Sequence, residues 1–334
     1  MKGVLLAAIV LLFVSCENLL VNDEPVNTQE ENFDLFWDDF NMNYAGFSAR
    51  GVQWQEIKEE SESRINSRLT IQDFFELLTE ITLGLKDIHV ELRGVGRQIH
   101  FDSSNPLSVN QIASLDEYLN DVTDINEAIS YGFVQGSNIG YISINTFSSR
   151  FPVAVFRGID EAVKAISDTD GLILDIRSNS GGAAANFKTT ASRFINDSFT
   201  YASAQLRNGP EFDDFADPIG DKIAPGGPLQ YTKPIFLLTN RKSASAAEIF
   251  AMTLKDLTYL TIVGDTTAGG FGNSVWRELP NGWSYRMTIT LISDKNGVSY
   301  EGVGIPPDEV IYISRQDSVD NRDPQIERAI EILK

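Results

Sequence analysis

Two serines, Ser243 and Ser245, stand in "NRKSASAAEIF", where the apolar run "PIFLLTN" gives way to an alanine-rich helix start. A serine hydroxyl is a poor nucleophile at neutral pH. It needs a base within hydrogen-bond reach, a group that orients the base, and donors aimed at a developing oxyanion. Turns at the carboxyl ends of buried strands are where α/β folds place catalytic groups, and the first N–H groups of a helix are free to meet an oxyanion. Serine is also a preferred helix cap, so position alone leaves both residues open between cap and nucleophile. "LDIRSNSGGAAANF" repeats the layout, and Gly181 and Gly182 would let backbone N–H groups approach a substrate, although a Gly-Gly pair also serves plain turn geometry. The two histidines are His89 in "LGLKDIHVEL" and His100 in "RQIHFD". Any histidine base must be one of them, and a lone histidine is as readily structural.

Other chemistries find little support. "GGFGN" lacks the spacing of a dinucleotide-binding loop, no phosphate loop is present, and two distant histidines make a poor metal site, so neither metal nor cofactor is expected. A net charge of −20, from 27 Lys and Arg against 47 Asp and Glu, argues against a nucleic-acid partner. At 334 residues the chain can bury a full core as one large domain or two unequal ones.

The only cysteine is Cys16, which excludes an intramolecular disulfide. It closes "MKGVLLAAIVLLFVSC", with a cation at Lys2, an apolar run from Val4 to Val14 and the small Ser15. That is the layout of a secretory signal, too short to span a bilayer permanently. "FVSC" resembles a bacterial lipobox, in which cleavage precedes a cysteine that then carries lipid; an ordinary signal cut elsewhere is the alternative. The expectation is a signal over residues 1–16, an acidic tether over 17–31, and a lipid-anchored protein of the bacterial cell envelope, periplasmic or outer-membrane.

From Asn32 the pattern becomes helical. Phe33, Phe36, Trp37, Phe40, Tyr44 and Phe47 recur at helical steps, a polar helix is predicted over Trp54 to Arg68, and a third starts with the capping-box-like "TIQD". These segments suit a helical bundle over 32–100, with the aromatic stripe as its core. Residues 101–130 read as a linker with one short helix. From Tyr131 to the end, strands and helices alternate, with near-continuous apolar strands that imply parallel pairing in an α/β core. Asn281-Gly282 marks a hairpin, and a final helix runs from Pro324, capped by Asp323.

"TNRKSASAAEIFAMTLKDLTYLTIVGDTTAGG", "LDIRSNSGG" and "YEGVGIPPDEVI" resemble the core of the C-terminal-processing, or tail-specific, serine peptidases, and "NFDLFWDDFNMNYAGF" with "KDIHVEL" is similar to the amino-terminal part of the tricorn-like members without a PDZ domain. The resemblance covers nearly all of 32–334. It implies a crotonase-like α/β spiral core behind an amino-terminal helical bundle. It implies Ser245 as nucleophile, with Ser243 a turn residue, and an oxyanion hole from the Ala246 N–H with a glycine N–H of Gly181 or Gly182. Glu248 lies where a carboxylate favours a helix N-terminus. The lysine of the Ser-Lys branch is replaced by Gly270. The tricorn-like pattern instead matches His89 as base and Glu301 as its carboxylate, with Ile88 where that branch has a relay serine; a water or another polar group would then link the two. The roughly forty residues between His89 and Tyr131 are too few for a PDZ domain. The implied partners are peptide or protein substrates, gripped by strand addition beside Ser245, and a membrane through the lipid anchor. The alternatives are a non-catalytic envelope lipoprotein that binds peptides or hydrophobic ligands on the same fold, and a purely structural one.

Overall fold

The computed structural model describes residues 27–66, 68–103 and 114–334; the signal-like segment and Cys16 lie outside them. Thr28 accepts the Glu31 N–H and starts α1 (Gln29–Asn43). The short α2 (Phe47–Arg50) closes on Gly51 at a positive φ, and α3 (Trp54–Glu62) and α4 (Ile71–Gly84) follow. Thr70 caps α4 by accepting the Asp73 N–H. The second helix stops short of Arg68: Ser63 Oγ donates to Glu60 O, a local bond of the kind that competes with helix continuation.

Strands β1 (Glu91–Gly94) and β2 (Arg97–His100) form a hairpin where the sequence suggested the end of a bundle. Its turn places Val95 and Gly96 at positive φ, and a β-branched residue there hides the usual turn signature. β3 (Leu119–Asp124) lies inside the expected linker and joins β4 (Ile129–Val134) and β5 (Ile139–Ile144) in an antiparallel meander. Only Leu119 of β3 is buried, so the strand carries no apolar alternation to read.

Pro152 precedes a helix that breaks at Gly158 into α5 (Val153–Phe156) and α6 (Ile159–Ala165). Next come β6 (Gly171–Asp175), α7 (Ala184–Ala191), β7 (Phe199–Leu206), β8 (Ile219–Ile223), β9 (Ile235–Thr239), α8 (Ala246–Leu254) and β10 (Leu260–Gly264). β11 (Ser274–Glu278) and β12 (Ser284–Thr288) form the hairpin expected at Asn281-Gly282, followed by β13 (Thr290–Asp294), β14 (Glu309–Val310), α9 (Arg315–Val319) and α10 (Pro324–Leu333). Asp323 caps α10 by accepting two N–H groups, those of Gln325 and Ile326.

The central sheet has seven strands in the order β14-β10-β9-β6-β5-β4-β3, parallel from β14 to β5 and antiparallel beyond. The architecture is the expected mixed α/β core with amino-terminal helices. One sheet face packs on α5 to α8 through Phe147, Phe156, Phe187, Phe194 and Phe250, and the other on α10 through Ile326 and Ala329. The aromatic stripe of α1 is buried as expected, but much of its partner surface comes from the far end of the chain: Leu279, Trp283, Tyr285 and Met287 of the β11–β12 region share its core. β12 also pairs with β1. The amino-terminal helices, the segment after α4 and the hairpin thus form one packed unit.

Candidate active site

The parallel pairing of β6 with β9 brings the turns that leave their carboxyl ends side by side. Asn240 ties them together. Its Oδ1 accepts from the Ser178 N–H at 2.9 Å and the Lys242 N–H at 3.0 Å, and its Nδ2 donates to Ser178 Oγ at 3.2 Å. The Ala244 N–H adds a bond to Asn179 O at 2.9 Å.

Within this frame the two serines part. Ser243 is fully buried; its hydroxyl donates to Ile176 O at 3.0 Å and accepts the Asn240 N–H at 3.1 Å, which commits it to the turn. Ser245 is half-buried and faces a cleft. It sits at the N-terminus of α8 with φ 57° and ψ −120°. A non-glycine residue is strained in that conformation and persists only when its surroundings over-determine it. Glu248 supplies the restraint. Its buried carboxylate accepts from the Ser245 and Gly270 N–H groups, each at 2.9 Å, and from the Gly269 N–H and Thr267 Oγ1, each at 2.6 Å. Burial pushes the Glu248 carboxyl up to about 7 against these four bonds, which favour its charged form.

The expected oxyanion donors are only partly available. The Gly181 N–H donates to Asn179 Oδ1 at 2.9 Å, so Gly181 is corrected from donor to spacer. A Cβ on it would come within 2.5 Å of Ala244 O and 2.7 Å of the Ser245 Cβ, so only glycine allows the two turns to touch. Gly182 forms a parallel bridge with Phe147, held by the Phe147 N–H on Gly181 O and the Ala183 N–H on Phe147 O. In that register the N–H of Gly182 itself points away from Phe147. The Ala246 N–H is among the first of α8, where a helix offers no internal acceptor. Gly182 lines the cleft beside Ser245, and Ala246 follows Ser245 at the start of α8.

His89 lines the same cleft, together with Ile88, Ser148, Asn273 and Arg286. His100 lies exposed on the outer strand β2, paired across to Glu91, and is not among the lining residues. Burial lowers the His89 pKa, and Arg286 and Arg50 lower it further against Asp87. Its Nδ1 is buried without a hydrogen-bond partner among the described residues. The space beside it explains two departures from the resembled family together: a Cβ on Gly270 would lie 2.5 Å from Ile88 Cγ1 and 3.6 Å from His89 Nδ1. Ile88 therefore occupies the room that a side chain at position 270 would need.

Glu301 does not reach His89. One of its oxygens accepts the Phe271 and Gly272 N–H groups at 2.9 and 3.1 Å, and the other pairs with Arg50 at 2.5 Å. The carboxylate nearest the His89 segment is Asp87, whose Oδ1 accepts the His89 N–H at 2.8 Å and whose Oδ2 accepts from Tyr44 and Thr288 at 3.0 and 2.9 Å. Arg50, from α2, lies 3.5 Å from Asp87, donates to Gly269 O at 2.8 Å and also bonds Lys86 O. Burial alone would raise the Asp87 pKa, but Arg50 and the bonds from His89 and Thr288 hold it below the ordinary value. Burial and the Asp87 charge instead raise Glu301. Asp87 was not singled out in the sequence, although its place two residues before His89 in "KDIHVEL" was the signal that could have found it. Arg50 carried no such signal, since its partners are set by the fold, whereas the bond from the Gly181 N–H to Asn179 Oδ1 is local to one turn.

Residues 138–311 match Peptidase family S41, and residues 25–82 match the Tricorn protease C1 domain. The chain belongs to peptidase family S41. It is 30% identical over 178 residues to "Carboxy-terminal processing protease CtpB" of Bacillus subtilis, covering 52% of this chain and 34% of that protein. It is also 30% identical over 196 residues to a carboxy-terminal-processing protease of Bartonella bacilliformis, covering 57% and 42%. The chain thus spans less than half the length of these relatives. A solved structure from Parabacteroides merdae superposes with a TM-score of 0.84 at 28% identity, covering 92% of this chain and 96% of that one. Mature CPAF complexed with lactacystin superposes with a TM-score of 0.69 at 14% identity over 92% and 97%, a likeness of fold.

Two substitutions test this geometry. Arg50→Met leaves two buried carboxylates without their cation and is expected to cost about 3–5 kcal/mol; the deficit in urea unfolding should shrink on acidification, as those carboxylates protonate. Glu248 has a folded pKa above its unfolded value, so its contribution to stability is fully present below about 4.5 and lost as pH rises through about 7. Glu248→Gln should therefore remove a fall in unfolding free energy of up to about 1.4 kcal/mol per pH unit across that window, read from denaturant titrations.

Proposed function

We propose that this protein is a serine peptidase that hydrolyses peptide bonds in C-terminal or unfolded protein segments through an acyl-enzyme on Ser245, with His89 as general base. The observation that carries this reading is the meeting of Ser245, on a strained strand-to-helix turn, with His89 and Gly182 around one cleft, the Ala246 N–H following Ser245 at the start of α8. Family membership and relatives described as carboxy-terminal processing proteases support the reaction and the substrate class.

The chemistry follows from these positions. Ser245 Oγ attacks the substrate carbonyl carbon as His89 takes the hydroxyl proton. Burial of His89 Nδ1 leaves Nε2 as the nitrogen toward the cleft. The carbonyl oxygen becomes an oxyanion over the two backbone donors. His89 then returns the proton to the leaving nitrogen, the C–N bond breaks, and the acyl-enzyme remains. Water, deprotonated by the same histidine, attacks the ester, and the second product leaves with regeneration of Ser245. A lowered pKa keeps His89 neutral, and so basic, near pH 7. Strand addition along the cleft wall would present an extended segment to Ser245, which favours unfolded tails over folded substrates.

We also propose that Cys16 carries a lipid and holds the protein at the bacterial cell envelope, supported by the charged, apolar and small-residue order of its leader. Incorporation of labelled fatty acid should disappear in Cys16→Ala; retention of the label would exclude this anchor.

For the catalytic reading, Ser245→Ala and His89→Ala are expected to lower kcat for peptide hydrolysis by roughly ten-thousand-fold, with His100→Ala unchanged. A fluorophosphonate should label wild type but not Ser245→Ala. The acid limb of kcat/KM should lie below the ordinary histidine value of 6.5. Unchanged hydrolysis by Ser245→Ala would overturn the assignment.

A further inference from the structure

The charge of the cleft runs against the charge of the molecule. In a chain of net −20, no acidic side chain lines the cleft among the described residues, and Arg286 is the one lining cation. It is anchored from behind. Arg286 Nε donates to His89 O at 2.9 Å, Nη2 pairs with Glu91 at 2.5 Å, and Nη1 makes no hydrogen bond among the described residues. Its side chain keeps 24% of its exposure.

Glu91 does not neutralise the group, because a second cation shares it: Arg93 lies 3.4 Å from Glu91. Arg93 also stacks over Trp276 at 4.0 Å, and Trp276 stands directly opposite Arg286 on β11. Two cations share one carboxylate, so this three-residue group carries a net positive charge. An arginine held by one edge and open on the other presents the fork that a carboxylate fits.

The side of the cleft follows from the chemistry. A general base returns its proton to the leaving nitrogen, so groups bonded to the segment of His89 border the part of the substrate that departs. Resting on the peptidase reading above, we propose that Arg286 is a specificity determinant that binds a carboxylate on the leaving side of the scissile bond, either the chain terminus or an Asp or Glu side chain close to it. The family assignment does not supply this role, which comes from the position of Arg286 on β12 and the absence of acidic lining.

The test pairs peptides that differ only in Glu against Gln after the cleavage point, or only in a free against an amidated C-terminus; the pair that discriminates identifies the source of the carboxylate. Binding is measured by calorimetry on Ser245→Ala, so that a failure of the hydrolytic reading, seen separately as no fluorophosphonate labelling of wild type, does not decide the outcome. The carboxylate peptide of at least one pair should bind about tenfold more tightly. Adding Arg286→Gln should erase the ratio, Arg286→Lys should restore part of it, and Glu91→Gln should enlarge it. Equal binding within both pairs, or a ratio that survives Arg286→Gln, would overturn the proposal.

Discussion

Arg50 places one guanidinium between two buried carboxylates, Asp87 and Glu301, that lie far apart in the chain. Each ion would cost several kcal/mol to bury alone, so the three are stable only as a set. Arg50 belongs to the amino-terminal helices, Asp87 to the segment that carries His89, and Glu301 to the loop that holds the Phe271 and Gly272 N–H groups. The cluster therefore makes correct docking of the helical unit a condition for the cleft to have its shape. Tyr44 and Thr288 complete it by bonding Asp87 from α1's end and from β12.

The turn that carries Ser245 depends on a second buried carboxylate used differently. Glu248 has no counter-cation among its four hydrogen bonds; it is held by backbone N–H groups and a hydroxyl. Those bonds link the Ser245 backbone to the 269–270 turn, so the strained conformation of Ser245 is maintained by a neighbouring loop as well as by α8. The Asn179 carbonyl, which accepts the Ala244 N–H, and the Asn240 side chain, which accepts the Ser178 N–H, do the corresponding work between the two strand-end turns. The result is that the two turns are locked against each other around Ser245 by backbone and side-chain amide bonds.

The glycines show how sequence departures compensate one another. Gly270 removes a side chain from a spot that Ile88 fills, and Gly181 removes one from the contact between Ala244 and Ser245. Read singly, Gly270 and Ile88 looked like two missing functional residues. Together they are one packing solution around His89.

Much was legible from local pattern. The strand-turn-helix signals around Gly181-Gly182 and Ser245, the parallel α/β core, the caps at Thr70 and Asp323 and the Asn281-Gly282 hairpin all follow from periodicity and turn chemistry that act over a few residues. β3 and the β1–β2 hairpin did not, since one is mostly exposed and the other turns at a valine with positive φ. Local pattern left Ser243 and Ser245 open between cap and nucleophile, and only the fold, through the bond from Ser243 to Ile176 O, committed Ser243 to the turn. Local sequence pattern was enough to nominate Ser245, His89 and the glycine turn and the elements that carry them, because those signals act over a few residues. Tertiary structure alone decided that Arg50 would claim Glu301, that Asn179 O would meet the Ala244 N–H, and that Arg286 would open onto the cleft. Those pairings span long stretches of chain, and they exist only because sheet register and core packing bring distant backbone together.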